Sequence, residues 1–480
     1  MATPRHPGVG YTHRIAFGAW INDMRNDPLP LENWPAPQLD DETIRSVIKA
    51  LDLQSRMGYN YLDAWGFFAT AAWPLDIGKG VSPERKRAVQ RILREAHARG
   101  IGVIYGMGTY SWGYEAIIKD DPSVGGRSGD GTPMVDALCD ANPKSFEWVQ
   151  RILDFVLSEF DFDGVHLESF DRGGCFCPNC AGGDEGLVGY HSRINAKTAD
   201  YIRSRWPDKL INVIPIGWNG GGKNCFDEAQ KAHLLELGQH VDGFYDQGWK
   251  GTYIADAERR EFIEKLPCTY GTSGGLWPYP SVRWDRTSYF LPCTKRQGRA
   301  LQDQFRDGVR GCMHYQGPLA NPGTELNIAF GGRLLTNPDR SVETVLREVV
   351  EELYQPRSAQ AGDKLAELVV QAEDAYFGQW EAERFDKNWG TNMPGEFYLD
   401  RLFGTSPGPA GFIVYDQYMG AEGRAAYKQG LLSVVRDLEP IRAEFRDDGR
   451  VEGIRRSVLT TLLLLNTIGA CKGEDAVWND

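Results

Sequence analysis

SPERKRAVQRILREAHARGIGVIYGMG (82–108) sets a helix and a strand end to end. Ser82 suits the helix N-cap, Pro83 its first turn and Gly100 its end. IGVIYGMG (101–108) then reads as a short buried strand. The same order recurs on both sides. Upstream lie the strand RIAFGAW (14–20), a helix over 40–58 with Ile44, Ile48 and Leu51 at helical spacing, and the strand YNYLDAWG (59–66). Downstream, a helix over 142–160 leads into FDGVHLES (162–169), and a helix over 189–206 into KLINVIPIGW (209–218). Helices over 225–240 and 257–266 bracket the sixth strand, VDGFYDQG (241–248), and CTYGTSGG (268–275) is the seventh. A helix over 294–307, the strand VRGCMHYQG (309–317) and a helix over 341–354 complete the set. Eight strand–helix units predict parallel pairing and an α/β fold, a (β/α)8 TIM barrel. A doubly wound sheet would need a Gly-rich phosphate turn after its first strand, and FGAWIND offers none.

The barrel is expected over 1–355. Residues 356–480 read as a C-terminal helical domain, with helices beginning near AGDKLAELVV (361–370), AEGRAAYKQG (421–430) and VEGIRRSVLT (451–460). The net charge of -13 with no Lys/Arg block argues against nucleic acid and anionic membrane as partners. The longest apolar run, LTTLLLLN (459–466), falls far short of the roughly 20 residues of a spanning helix. MATPRHPGVGYTHR lacks an apolar signal core, so a cytoplasmic location is expected.

Chemistry in such a barrel collects where the strands end. The first two ends offer Trp20, Asp63 and Trp65, and the loop after the third offers Tyr110 and Trp112. His166 and Glu168 close the fourth strand, Trp218 and Asn219 the fifth, Tyr245 and Asp246 the sixth. Arg283 and Trp284 follow the seventh, and His314 and Gln316 end the eighth. Aromatic faces mixed with amides, His and carboxylates suit a sugar, which stacks its C–H face on a ring and needs polar partners for its hydroxyls. Glycosidic cleavage takes an acid and a second carboxylate acting as base or nucleophile. Glu168 is expected as the acid and Asp246 as its partner, with Asp63 as runner-up. A separation of roughly 6.5–9.5 Å would mean inversion, and about 5 Å retention.

Cys175-x-Cys177-x2-Cys180 has metal-ligand rather than disulfide spacing, and Cys139 in ALCDANP lies on the same face of the barrel. Four thiolates predict a closed, structural zinc site.

A Glu ending the fourth strand, followed by this cysteine run and preceded by Cys139 in CDANP, resembles the zinc-containing glycoside hydrolase family 42 β-galactosidases. The resemblance implies Glu168 as acid/base and a structural zinc. Here Leu167 stands where that family has Asn, and CTYGTSGG carries no carboxylate where it has its nucleophile. GGRLLTNPDRSVETVLREVVEELY (331–354) looks like the barrel end of the family 67, 20 and 163 glycosidases, and the DG-x-x-x-E and FYD pair is similar in outline to family 18-type barrels. The resemblance is to the wider group, with no single family assigned. The expectation is an exo-acting glycoside hydrolase on short oligosaccharides, with homo-oligomerisation left open. The alternatives are a carbohydrate-binding barrel without hydrolysis, or a sugar lyase or isomerase using His166 or Tyr245 as base.

Overall fold

The computed structural model describes residues 9–17, 39–64, 67, 73–170, 173–218, 225–246, 253–274, 290–315, 319, 321–378, 420–471, 473–474 and 476–477. Eight parallel strands close into the expected barrel. They are β1 (His13–Phe17), β2 (Tyr61–Ala64), β3 (Gly102–Gly108), β6 (Gly164–Glu168), β7 (Leu210–Ile214), β8 (Gly243–Asp246), β9 (Thr269–Gly274) and β10 (Gly311–Tyr315). Each strand pairs with the next in this list, and β10 returns to β1. The helices between them are α1 (Asp41–Met57), α2 (Pro83–His97), α4 (Pro143–Glu159), α5 (Gly186–Arg205), α6 (Glu228–Leu237), α7 (Asp256–Lys265) and α8 (Lys295–Arg306).

Local chemistry explains these boundaries. Asp40, Ser82 and Asn142 accept N-terminal amide hydrogens of α1, α2 and α4, and Asp227 and Gln230 form a capping box on α6. Gly58 ends α1 in the left-handed conformation. Each helix buries one face; α2 turns Val89, Ile92 and Leu93 inward, as the sequence spacing requires.

Two features were not expected. The long third loop holds α3 (Glu115–Asp120) and a hairpin of β4 (Gly125–Arg127) and β5 (Pro133–Leu138). A helix, α9 (Pro322–Thr336), also precedes α10 (Val342–Tyr354). Its Gly331-Gly332 pair hides it from a propensity reading. The structure needs Gly331, because a Cβ there would lie 2.2 Å from His314 Nε2.

Contacts group the chain into two compact units: Tyr11–Ser273 with Phe305–Met313, and a second drawn from Met1–Gly10, Gly274–Gln304 and His314–Asp480. In the second, α11 (Ala359–Phe377), α12 (Gly420–Leu438) and α13 (Asp448–Cys471) form the C-terminal helical region. Buried Glu373 of α11 accepts the Thr294, Lys295 and Arg296 amide hydrogens at the start of α8.

In the first unit the barrel interior is filled from alternate strands, as in other closed eight-stranded barrels. Asp63 of β2 hydrogen-bonds His166 Nδ1 of β6, across β3. The His166 ring meets the Tyr245 ring of β8 at 5.6 Å. Tyr245 needs space from its neighbours: a Cβ at Gly271 would lie 2.4 Å from its ring, and one at Gly311 2.8 Å from its hydroxyl. Gly271→Ala should therefore cost about 1–3 kcal/mol in urea unfolding. The same change in a Tyr245→Leu background should cost clearly less, because the two sites share one volume.

Candidate active site

Glu168 is the last residue of β6 and is 4% exposed. It lies two residues beyond His166, so both side chains leave the strand on its inner face. Gly108 of β3 is its register partner, and Thr109 N–H donates to the Glu168 carbonyl at 2.5 Å. The acid expected from sequence thus stands at the C-terminal rim of the barrel, facing in.

Asp63, His166 and Tyr245 form the floor. All three are fully buried. Tyr245 hydroxyl bonds His13 Nδ1 at 3.0 Å. Burial pushes the Tyr245 hydroxyl pKa well above its ordinary value and lowers that of His13 to about 4. Asp63, His166 and Tyr245, all expected at the rim, pack against one another inside the barrel. Asn212 of β7, the register partner of His166, joins them and was missed. Its signal was a lone amide inside the apolar strand LINVI.

Asp246 also departs from expectation. Tyr245 faces in, so Asp246 turns to the outer side of β8. There it accepts from Tyr253 N–H at 3.0 Å, Ile254 N–H at 3.3 Å and Tyr270 hydroxyl at 2.5 Å. It is an anchor for the chain at 253–254, and its oxygens are committed to these donors. Burial raises its pKa to about 6, partly offset by the Tyr270 and backbone hydrogen bonds. A folded-state pKa above the unfolded value means the stabilisation is full below the unfolded pKa, near 3.8, and is lost as pH rises through about 6. The stability difference between wild type and Asp246→Asn, from urea unfolding, should therefore shrink by about 1–3 kcal/mol between pH 4 and 7. A flat difference would contradict this assignment.

The aromatics divide. Trp218 is fully buried, stacked on His191 at 5.7 Å, and His191 Nδ1 meets Ser169 Oγ at 2.9 Å. Burial lowers the His191 pKa to about 3, so this ring is neutral, packed against Trp218 and Phe170. His314, expected as a sugar contact, is buried, bonded to Gln297 of α8 and against Gly331 of α9. Tyr110 and Trp112 follow β3 and are nearly buried. Trp20, Trp65, Asn219, Arg283, Trp284 and Gln316 lie outside the described residues.

Cys139, Cys175, Cys177 and Cys180 come together with all Sγ atoms within 4.8 Å of one another. Cys139 Sγ is 3.7 Å from Cys177 Sγ and 3.9 Å from Cys180 Sγ. Four thiolates at about 2.3 Å around one tetrahedral ion would be spaced by about 3.8 Å, so the residues fit a metal. Hydrogen bonds from Cys139 and Cys180, with backbone N–H groups of Cys177 and Arg127, hold the Cys175 thiol below its ordinary pKa. The cluster links two barrel loops, because Phe176 N–H also donates to Arg127 of β4 at 2.7 Å. Cys139→Ser should weaken metal retention at least about tenfold and lower the melting temperature, read by elemental analysis and calorimetry.

No family model matches the chain, and no curated protein matches it. Among solved structures it is similar to a glycoside hydrolase family 138 enzyme targeting pectin rhamnogalacturonan II, with TM-score 0.58 and 9% identity. The match covers 96% of this chain and 58% of that one, so this chain spans less than two thirds of that protein's length. A Thermobaculum terrenum O-GlcNAc hydrolase aligns over 96% of both chains, with TM-score 0.48 and 12% identity. The Flavobacterium johnsoniae chitobiase covers 98% of this chain and 73% of its own, with TM-score 0.44 and 12% identity. At these identities the likeness is one of fold, the (β/α)8 barrel.

Proposed function

We propose that this chain is a glycoside hydrolase acting from the ends of short oligosaccharides, with Glu168 as the general acid. The observation that carries the reading is the place of Glu168: a shielded carboxyl group at the rim of the barrel, on the inner face, at the end of the fourth strand. Such a group can hand its proton to a glycosidic oxygen entering the mouth. A neighbouring fold that is itself a glycoside hydrolase is in keeping with this. The four-cysteine cluster is proposed to hold a structural zinc, whose closed thiolate shell leaves no position for substrate.

We also propose a cytoplasmic protein, one that acts alone or as a homo-oligomer, with the barrel ending in sequence near residue 355. Among the described residues no helix is long and apolar enough to cross a membrane.

One observation favours a second reading, a barrel that binds sugar without cleaving it. Both second carboxylates expected from sequence are engaged elsewhere, Asp246 on the outer side of β8 and Asp63 with His166. Glu168→Gln separates the two. Under hydrolysis, turnover of oligosaccharides and aryl glycosides falls by about 10²–10⁴ while sugar affinity survives. If wild type cleaves nothing across a broad glycan panel yet binds sugar, the binding reading stands instead.

A further inference from the structure

Tyr110 and Trp112 hold left-handed backbone conformations, φ 65° and 73°. Bulky side chains avoid that region, so the surroundings must hold them there. The outcome is placement. Gly108 faces into the barrel beside Glu168, and the first atom of a side chain at Gly108 would lie 2.5 Å from Trp112 Cβ. The Ser111 carbonyl and the Trp112 Cβ together fill the seat of the missing Gly108 side chain, on the strand next to Glu168.

A backbone bridge and a side-chain hydrogen bond keep the turn folded back: Ser111 bridges Ala137, with Leu138 N–H donating to the Tyr110 carbonyl at 2.8 Å and Trp112 N–H to the Asp136 carbonyl at 3.3 Å, and Tyr110 hydroxyl donates to Asp140 Oδ1 at 2.5 Å. Asp140 also accepts from Lys197 Nζ at 2.9 Å and Arg193 Nη1 at 2.8 Å, so its position is fixed from α5. Its side chain is 8% exposed, while those of Arg193 and Lys197 are 41% and 38% exposed. It directly follows the metal-cluster residue Cys139.

We propose that Asp140 is a positioning residue. It grips the Tyr110 hydroxyl, holds the turn in its left-handed form, and so keeps Trp112 beside Glu168 as a platform for a sugar ring, tied to the four-cysteine cluster. The sugar part rests on the glycosidase reading; the structural part does not.

The test uses the full chain labelled with 5-fluorotryptophan. The Trp112 fluorine line is assigned as the one lost in Trp112→Phe. In Tyr110→Phe and Asp140→Asn that line should shift or broaden, while the metal content measured on the same samples is unchanged. Tyr110→Phe removes a single oxygen, so it decides the matter if Asp140→Asn fails to fold. On a cleavable glycoside both variants should raise KM about tenfold with a smaller change in kcat. An unmoved Trp112 line in Tyr110→Phe overturns the proposal. A moved line with no glycoside cleaved by wild type leaves the positioning role standing and refutes the glycosidase reading instead.

Discussion

The pairing of Gly108 with Glu168 across two adjacent parallel strands sets where the other groups at the barrel mouth can stand. Parallel register sends both positions inward, and only one of them has a side chain. Glu168 fills its position with a carboxyl group. Gly108 has no side chain, and the turn that follows β3 folds the Ser111 carbonyl and the Trp112 Cβ back into that space. A larger residue at 108 would meet the Ser111 carbonyl at 1.9 Å and force the turn out.

Beneath that pair lies a polar floor. Asp63 pairs with His166, and Tyr245 with His13, in a place that an ordinary barrel fills with branched aliphatics. A buried charge left alone would be costly, so Asp63 depends on His166 and neither can be removed cheaply. Above and to one side, the four cysteines join the hairpin inserted after β3 to the loop after β6. These are the two loops whose first residues are the turn at 109–112 and the segment following Glu168. Clasping them together restricts the mouth without lending a ligand position to chemistry.

Much of this was legible in the residues themselves. The alternation of capped helices with short apolar runs determines the barrel, and each of the eight strands falls inside its expected range or within one residue of it. The cysteine spacing announces the metal cluster, because three thiols in one tight loop have few other uses. What could not be read is the side of a strand on which a given residue lies at its end. Asp246 and Tyr245 are adjacent in sequence and face opposite ways, and the one facing in is the tyrosine. The cue was present in Gly243, Gly271 and Gly311 on three neighbouring strands, which make room for one large ring, but only the register assembles them. His314 was misplaced for the same reason. Asp140 was overlooked because its importance arises from Tyr110, thirty residues earlier, and from α5, more than fifty later.

The most direct test of the account is a crystal structure of Glu168→Gln soaked with an oligosaccharide that the wild type cleaves. The expected result is an intact glycosidic oxygen within about 3 Å of the side-chain amide at position 168, with a sugar ring against the face of Trp112. A sugar bound with its glycosidic oxygen away from that side chain, or bound nowhere near the end of β6, would contradict it.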